Sequence, residues 1–212
     1  MSSEQTPPRR TQTERKQATI DRLVDATIGA IAEIGYSRAS VGEICARSGV
    51  SKGGLFRHFD SRQSLMVAAA EEVARRHFAA VRARLDGLPD ADLRTAVVLM
   101  RERHRNVDNV VWFELMVAAR TDAELRERLA PSAQWFFAAI TDMAAELPAL
   151  AGLSPDDRHL VISTIRQLFD GEAISRTLVP EPEVESRRLD LAVRYAEFVA
   201  ARGTALPGRA EP

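Results

Sequence analysis

Between Ser40 and Phe59 the chain reads SVGEICARSGVSKGGLFRHF, and nearly every position in that stretch limits the backbone. Ser40 followed three residues later by Glu43 is capping-box spacing and predicts a helix start, with Val41, Ile44 and Cys45 facing inward. Gly49 stops that helix, because glycine takes up the left-handed backbone that closes a helix end. Ser51 caps the next helix, with Val50 before the cap and Leu55 after it as a hydrophobic staple. Leu55 and Phe59 lie four apart and share a face. Two short helices joined by a tight glycine turn form a helix-turn-helix. Gly53 and Gly54 do not fit a simple helix, since each costs roughly 1 kcal/mol against alanine in a helix interior. Something other than helix stability is served there.

The rest of the chain has the same character. Thr11 and Glu14 have capping-box spacing, Ile20, Leu23, Val24, Thr27, Ile28, Ile31 and Ile34 recur at helical period, and Gly35 ends that helix. Asp60 or Ser61 caps a longer helix to about Leu85. Beyond it, Pro89-Asp90 opens a helix to about Asn106, Asn109 another to about Arg120, and Thr121-Asp122-Ala123-Glu124 caps the next. Pro131 is expected to kink or restart that helix before Leu147-Pro148. Ser154-Pro155-Asp156-Asp157 starts a helix to about Leu178, and a last helix spans about Glu183 to Arg202, with Gly203 as its stop. Only ten prolines and eleven glycines occur in 212 residues. The fold class is therefore all-α, with about nine helices. The segments are a disordered arm over 1–12, a helix-turn-helix domain over 13–60, a linking helix over 61–85, a helical domain over 86–204 and a tail over 205–212.

Composition excludes several classes. The single cysteine, Cys45, rules out an intramolecular disulfide and multi-thiolate metal sites. No window approaches 18 consecutive apolar residues, and the polar N-terminus lacks the apolar core of a signal peptide, so a cytoplasmic protein is expected. The four histidines, His58, His77, His104 and His159, are scattered, and none has a Glu three residues away. There is no H-E-x-x-H, G-x-G-x-x-G or G-x-x-x-x-G-K. No enzyme activity, cofactor or metal is expected. A helical enzyme with unrecognised carboxylates is the remaining catalytic alternative.

A nucleic-acid reading explains the glycines. Residues 1–70 hold ten Lys/Arg against seven Asp/Glu, whereas the remainder holds nineteen against twenty-three. If the third helix lies in a major groove, its first turn approaches the duplex most closely. Side chains there hold the backbone off and glycines admit it. Ser51 and Lys52 sit at that turn, and Arg57, His58 and Arg62 extend a positive face along the same side.

The stretch GVSKGGLFRHFDSRQSL, preceded by EIGYSRASVGEICARS, resembles the N-terminal domain of the tetracycline-repressor (TetR) family of bacterial transcription regulators over about residues 13–70. The resemblance implies a recognition helix at about 51–57, with Ser51, Lys52, Gly53 and Gly54 nearest the bases. It also implies that His58 and Arg62 contact phosphate and that Ser40 approaches the DNA backbone. At Phe56 the family usually carries a tyrosine whose hydroxyl bonds a phosphate. Phenylalanine cannot donate that bond, and Arg57 is placed to compensate. Asp60 stands where a lysine is frequent. The resemblance further implies a homodimer on a palindromic operator, most often a repressor released by a small-molecule effector.

The second domain offers its own signs. Over residues 160–178 the apolar positions cover two faces of one helix, and the last helix is similar, so one face is assigned to the core and the other to a partner subunit. For the effector, Met100, His104, Trp112, Phe113, Met116 and Arg120 mix large apolar groups with polar ones. Phe137, Met143 and Phe169 add walls, and Gln167 and Asp170 are polar handles. Arg101, Glu102, Arg103 and Arg105 look like a solvated face. The alternative to a ligand-responsive regulator is a helical ligand- or protein-interaction module with a vestigial DNA-binding head.

Overall fold

The computed structural model describes residues 11–86 and 92–202. The arm before residue 11, the helix start at Pro89-Asp90, and Gly203 with the tail lie outside them. Ten α-helices form among the described residues: α1 Gln12–Arg38, α2 Val41–Ser48, α3 Lys52–Leu55, α4 Arg62–Asp86, α5 Leu93–His104, α6 Val107–Ala118, α7 Ala123–Ala144, α8 Pro148–Ala151, α9 Pro155–Ser175 and α10 Pro182–Arg202. None is long and apolar enough to cross a membrane. The helices make two compact units, neither contiguous in sequence. One holds the residues up to Val73 together with Val110–Leu129, and the other holds Ala74–Asn109 and the residues from Ala130 onward.

In the first unit, the Thr11 hydroxyl accepts from the Glu14 amide at 3.2 Å, and the Glu14 carboxylate accepts from the Thr11 amide at 2.7 Å. The stripe that follows places Leu23, Val24, Thr27, Ile28 and Ile31 in the core. Gly35 breaks α1 with φ +77°, ψ 163°, and the chain makes one more turn to Arg38. A Cβ at Gly35 would lie 3.2 Å from Glu114 Oε2, so glycine serves both the backbone and the close approach. At α2 the Ser40 hydroxyl accepts from the Glu43 amide at 3.2 Å, but the reciprocal half of the box is absent. Glu43 instead accepts from Arg47 Nε at 2.7 Å. Gly49 closes α2 in the left-handed conformation, with φ +67°. Ser51 caps α3 by accepting from the Gly54 amide at 3.1 Å, and the staple residues Val50 and Leu55 are both buried. Ser61 accepts from the Ser64 amide at 3.1 Å and starts α4.

The first unit also contains the turn between α6 and α7. The Tyr36 amide donates to Glu114 at 2.9 Å, and Asp60 pairs with Arg128 at 3.2 Å. Val111, Trp112, Leu115, Leu125 and Leu129 are its buried residues.

In the second unit, α5 begins at Leu93 with Asp92 as its cap, accepting from the Thr95 amide at 2.8 Å. Pro131 lies inside α7, which neither stops nor restarts there. The tenth helix, beyond the nine expected, is the single turn α8 that Leu147-Pro148 starts. Leu93, Val97, Leu150, Val161, Ile165, Phe169, Val193 and Ala196 make the core. Arg101 and Arg105 are not a solvated face. The Glu172 carboxylate, only 1% exposed, accepts from Arg101 Nε at 2.7 Å and Arg188 Nη1 at 2.9 Å, and it also pairs with Arg105. Arg105 reaches Glu185 as well, at 2.6 Å. Burial pushes the Glu172 carboxyl up, but the hydrogen bonds from Arg101, Arg105 and Arg188 outweigh it, and the net displacement is downward.

Candidate functional site

The α2–α3 segment presents its outward groups because its apolar ones are consumed by the core. Leu55 and Ile44 are fully buried, Phe59 is half-buried, and Ser40, Ser51, Lys52, Gly53, Phe56 and Arg57 are exposed. Among the described residues neither Lys52 nor Arg57 has a carboxylate partner, so both cations are available to an external anion. Phe56 is 51% exposed, a large apolar ring beside two free cations.

The two glycines have different reasons. A Cβ on Gly53 would meet nothing within 4 Å, so that position is open to whatever approaches from outside. A Cβ on Gly54 would lie 2.9 Å from Val50 Cγ1 and 3.3 Å from Ser51 Oγ. Gly54 therefore lets the staple residue and the cap sit against the helix they start, an internal need independent of any partner.

His58 and Arg62 do not lie with these groups as free surface charges. His58 is half-buried, and its Nδ1 is buried without a hydrogen-bond partner among the described residues. Arg62 turns inward: Nε donates to the Ala39 carbonyl at 3.0 Å, Nη2 donates to the Tyr36 carbonyl, and the guanidinium lies 4.0 Å from the Tyr36 ring centroid. The arginine fork satisfies both carbonyls, one just after the Gly35 break and one at the end of α1. Asp60, in place of a lysine, is held below the usual carboxylate range by hydrogen bonds from Ser64 and then Arg128.

The second unit encloses a cavity. Its walls are Phe78, Val81, Leu85, Leu93, Val97, Leu99, Met100, Met143, Leu150, Ile162 and Ile165, with His77, His104 and Arg166 as the titratable groups among them. Burial, reinforced by the charges of Arg103 and His104, pushes His77 down to about 3, so its imidazole is neutral at neutral pH. His77 packs edge-on against Phe78 and Phe136, with centroids 5.7 and 5.4 Å away. His104 has an acceptor at each ring nitrogen, the Met100 carbonyl 2.7 Å from Nδ1 and Asp170 Oδ1 3.2 Å from Nε2.

Of the residues expected around a ligand, Met100, His104 and Met143 line this cavity. Trp112, Phe113, Met116 and Arg120 do not, because α6 from Val110 onward belongs to the first unit. There Trp112 is buried, while Met116 and Arg120 are exposed. Phe137 and Gln167 border a second hollow. Phe169 is core, with its ring 6.1 Å from that of His104, and Asp170 stands behind His104 as its acceptor. His77, Phe78 and Arg166 escaped the sequence reading. Their signal was the His77, Val81, Leu85 spacing on α4 and the break in the apolar run of α9 at Arg166. Among the described residues, no group of three or more His, Cys, Asp or Glu side chains comes together as a metal would need.

The family model described as bacterial regulatory proteins, tetR family, matches residues 23–69, from the buried stripe of α1 through the buried start of α4. Over 185 residues the chain is 38% identical to the HTH-type transcriptional regulator Rv2912c of Mycobacterium tuberculosis, spanning 86% of this chain and 94% of that protein. It is 29% identical over 199 residues to the HTH-type transcriptional regulator CymR of Pseudomonas putida, spanning 91% of this chain and 98% of that one. The fold is shared with a transcriptional regulator from Rhodococcus sp. Rha1, with a TM-score of 0.67 over 88% of this chain and 99% of that chain at 22% identity. The matched helix-turn-helix and the nearly full-length relative together place the chain in the tetR family of bacterial transcriptional regulators.

Proposed function

We propose that this protein is a repressor that binds a palindromic operator as a homodimer and releases it when a small molecule enters the cavity of the second unit. The observation that carries the DNA half is the open backbone at Gly53, flanked by exposed Ser51 and Lys52 and followed by exposed Phe56 and Arg57. A recognition helix needs its first turn clear of side chains that would hold the backbone off the bases, and it needs unpaired cations for phosphate. Ser40 and His58 extend the contact surface. In this proposal Arg62 acts by holding the head's shape and not by touching phosphate. Phe56 offers apolar contact, with thymine methyl groups as a fitting target.

Two further observations support the remaining parts. Leu160, Thr164, Gly171 and Ile174 form one exposed stripe on α9, with exposed Leu178 just past its end, and Val184, Leu191 and Phe198 form another on α10. Those are faces a symmetric partner would cover. Dimerisation of this kind fixes the distance between recognition helices near one helical turn of DNA, about 34–36 Å, or a multiple of it. The cavity supplies the release half, and α4 carries Arg62 near one end and the cavity residues His77 and Phe78 further along one unbroken helix. Ligand affinity and operator affinity are then reciprocally linked.

A mobility-shift titration with the DNA upstream of the protein's own gene tests the proposal. A salt-sensitive shift at nanomolar to micromolar protein, weakened in Lys52→Ala, is expected. A shift that is absent at low salt, or is unchanged in Lys52→Ala and Arg57→Ala, would leave only a ligand-binding helical module.

A further inference from the structure

The cavity in the second unit and the hollow beside it share three walls, Ile140, Ile162 and Arg166. Their chemistries differ. The cavity is faced by Phe78, Leu93, Val97, Leu150 and Ile165, whereas the hollow adds Thr141, His159, Ser163 and Gln167. An apolar chamber and a polar vestibule therefore meet at one arginine and two isoleucines.

Arg166 is incompletely used. Its Nη1 donates to Asp170 Oδ2 at 2.8 Å, and its guanidinium lies 4.2 Å from the Phe137 ring centroid. Among the described residues it has no second acceptor, although a guanidinium carries five N–H groups. Asp170 is shared with His104, 3.2 Å away, so this one carboxylate already serves two donors. No Asp or Glu lines either hollow. The polar lining thus has no anionic acceptor. A cationic ligand would face Arg166 without compensation, and a neutral one would leave the guanidinium under-satisfied. A carboxylate matches the fork bidentately while its apolar body fills the chamber.

We propose that the two hollows are one amphipathic site whose ligand is an apolar molecule ending in a carboxylate, with its body in the cavity and its head on Arg166 in the vestibule. This rests on the reading of the cavity as an effector site and narrows it to a class of molecule. Arg166 is the specificity-determining residue, and the Gln167 amide supplies a neutral hydrogen bond beside the head.

The test is calorimetric titration of the full-length protein with octanoate, octan-1-ol and octyltrimethylammonium, each also added to the protein–operator complex. Octanoate is expected to bind at least about tenfold more tightly than octan-1-ol, with the cation weakest. In Arg166→Gln the preference for octanoate over octan-1-ol should vanish, with octanoate affinity falling far more than octan-1-ol affinity. In Arg166→Lys, which keeps the charge and loses the fork, part of the preference should survive. Tighter binding of the alcohol or the cation, an undiminished octanoate preference in Arg166→Gln, or no saturable octanoate binding would overturn the assignment. Operator release by the alcohol or the cation, with no response to octanoate, would sink the carboxylate assignment and leave the effector-released repressor standing. Arg166-dependent octanoate binding with no effect on the operator would do the reverse.

Discussion

The Tyr36 hydroxyl donates to Asp122 Oδ2 over 2.6 Å, joining the end of α1 to the start of α7 across 86 positions of sequence. The same carboxylate caps α7 by accepting from the Leu125 amide at 2.9 Å, and Gln63 reaches it at 3.4 Å. The Leu125 amide first, and then Tyr36, hold the Asp122 carboxyl below its ordinary range. Its folded value being depressed, the contribution to stability is complete above the unfolded carboxylate range near pH 4 and is lost as pH falls through the folded value. Asp122→Ala should cost about 1–2 kcal/mol as a lost cap, and Tyr36→Phe about 0.5–1.5 kcal/mol as one lost hydrogen bond, both read by urea denaturation at pH 7. Equal stability of Asp122→Ala and wild type would show that the cap contributes nothing.

Gly53→Ala and Gly54→Ala should separate two roles. In Gly54→Ala the new methyl meets Val50 Cγ1 at 2.9 Å, on a buried β-branched side chain with little room to turn, and a loss of about 1–3 kcal/mol of stability is expected. In Gly53→Ala the methyl enters open space, so thermal stability should hold or rise while operator affinity falls. Reduced stability in Gly53→Ala with unchanged DNA affinity would invert the assignment.

Lys52→Ala and Arg62→Ala should fail differently. Loss of the exposed Lys52 should leave the melting temperature unchanged and lower the slope of log affinity against log salt by about 1. Loss of Arg62 frees the carbonyls of Tyr36 and Ala39, and should lower stability by about 1–3 kcal/mol with little change in the salt slope.

Removal of Glu172 leaves Arg101, Arg105 and Arg188 facing one another with their shared acceptor gone. Breaking one side of a buried ion cluster typically costs about 3–5 kcal/mol, so Glu172→Ala should be among the most destabilising single changes in the second unit. Differential scanning calorimetry checks this, and a change in melting temperature of only a degree or two would show the cluster to be well solvated.

Stability should also fall on acidification because of His77. Its folded value is pushed down to about 3, so the unfolded chain binds the extra proton first. The loss begins as pH falls below about 6.5 and continues toward 3, at up to about 1.4 kcal/mol per pH unit from this one group. In His77→Phe, which keeps the edge-on ring packing, the profile between pH 6 and 4 should be flatter.

The head was legible in sequence because its signals are local. Ser40, Gly49 and Ser51 act within four residues of themselves, and caps and left-handed glycines need no tertiary context. The misplaced elements depend on partners far along the chain. Trp112 and Phe113 look the same whether their helix lines a cavity or completes the head, since periodicity shows that a face is buried but not against what. Arg101 and Arg105, four apart, have the spacing of a solvent-facing row, and only Glu172 and Glu185, some 70–80 positions later, reveal otherwise. Pro131 removes one amide from α7 at an exposed position, a local cost the rest of the helix carries.

The bond between Tyr36 and Asp122 has a consequence for cutting the protein apart. A fragment ending after α4 would keep every helix-turn-helix residue and still lose Glu114, Asp122 and Arg128, leaving the Tyr36 amide, the Tyr36 hydroxyl and Asp60 without the partners they have in the intact chain. The DNA-binding head is therefore not a detachable N-terminal module. It should melt as one cooperative unit with the α6–α7 turn, and a shortened chain should regain its shape only when a peptide spanning residues 107–129 is supplied.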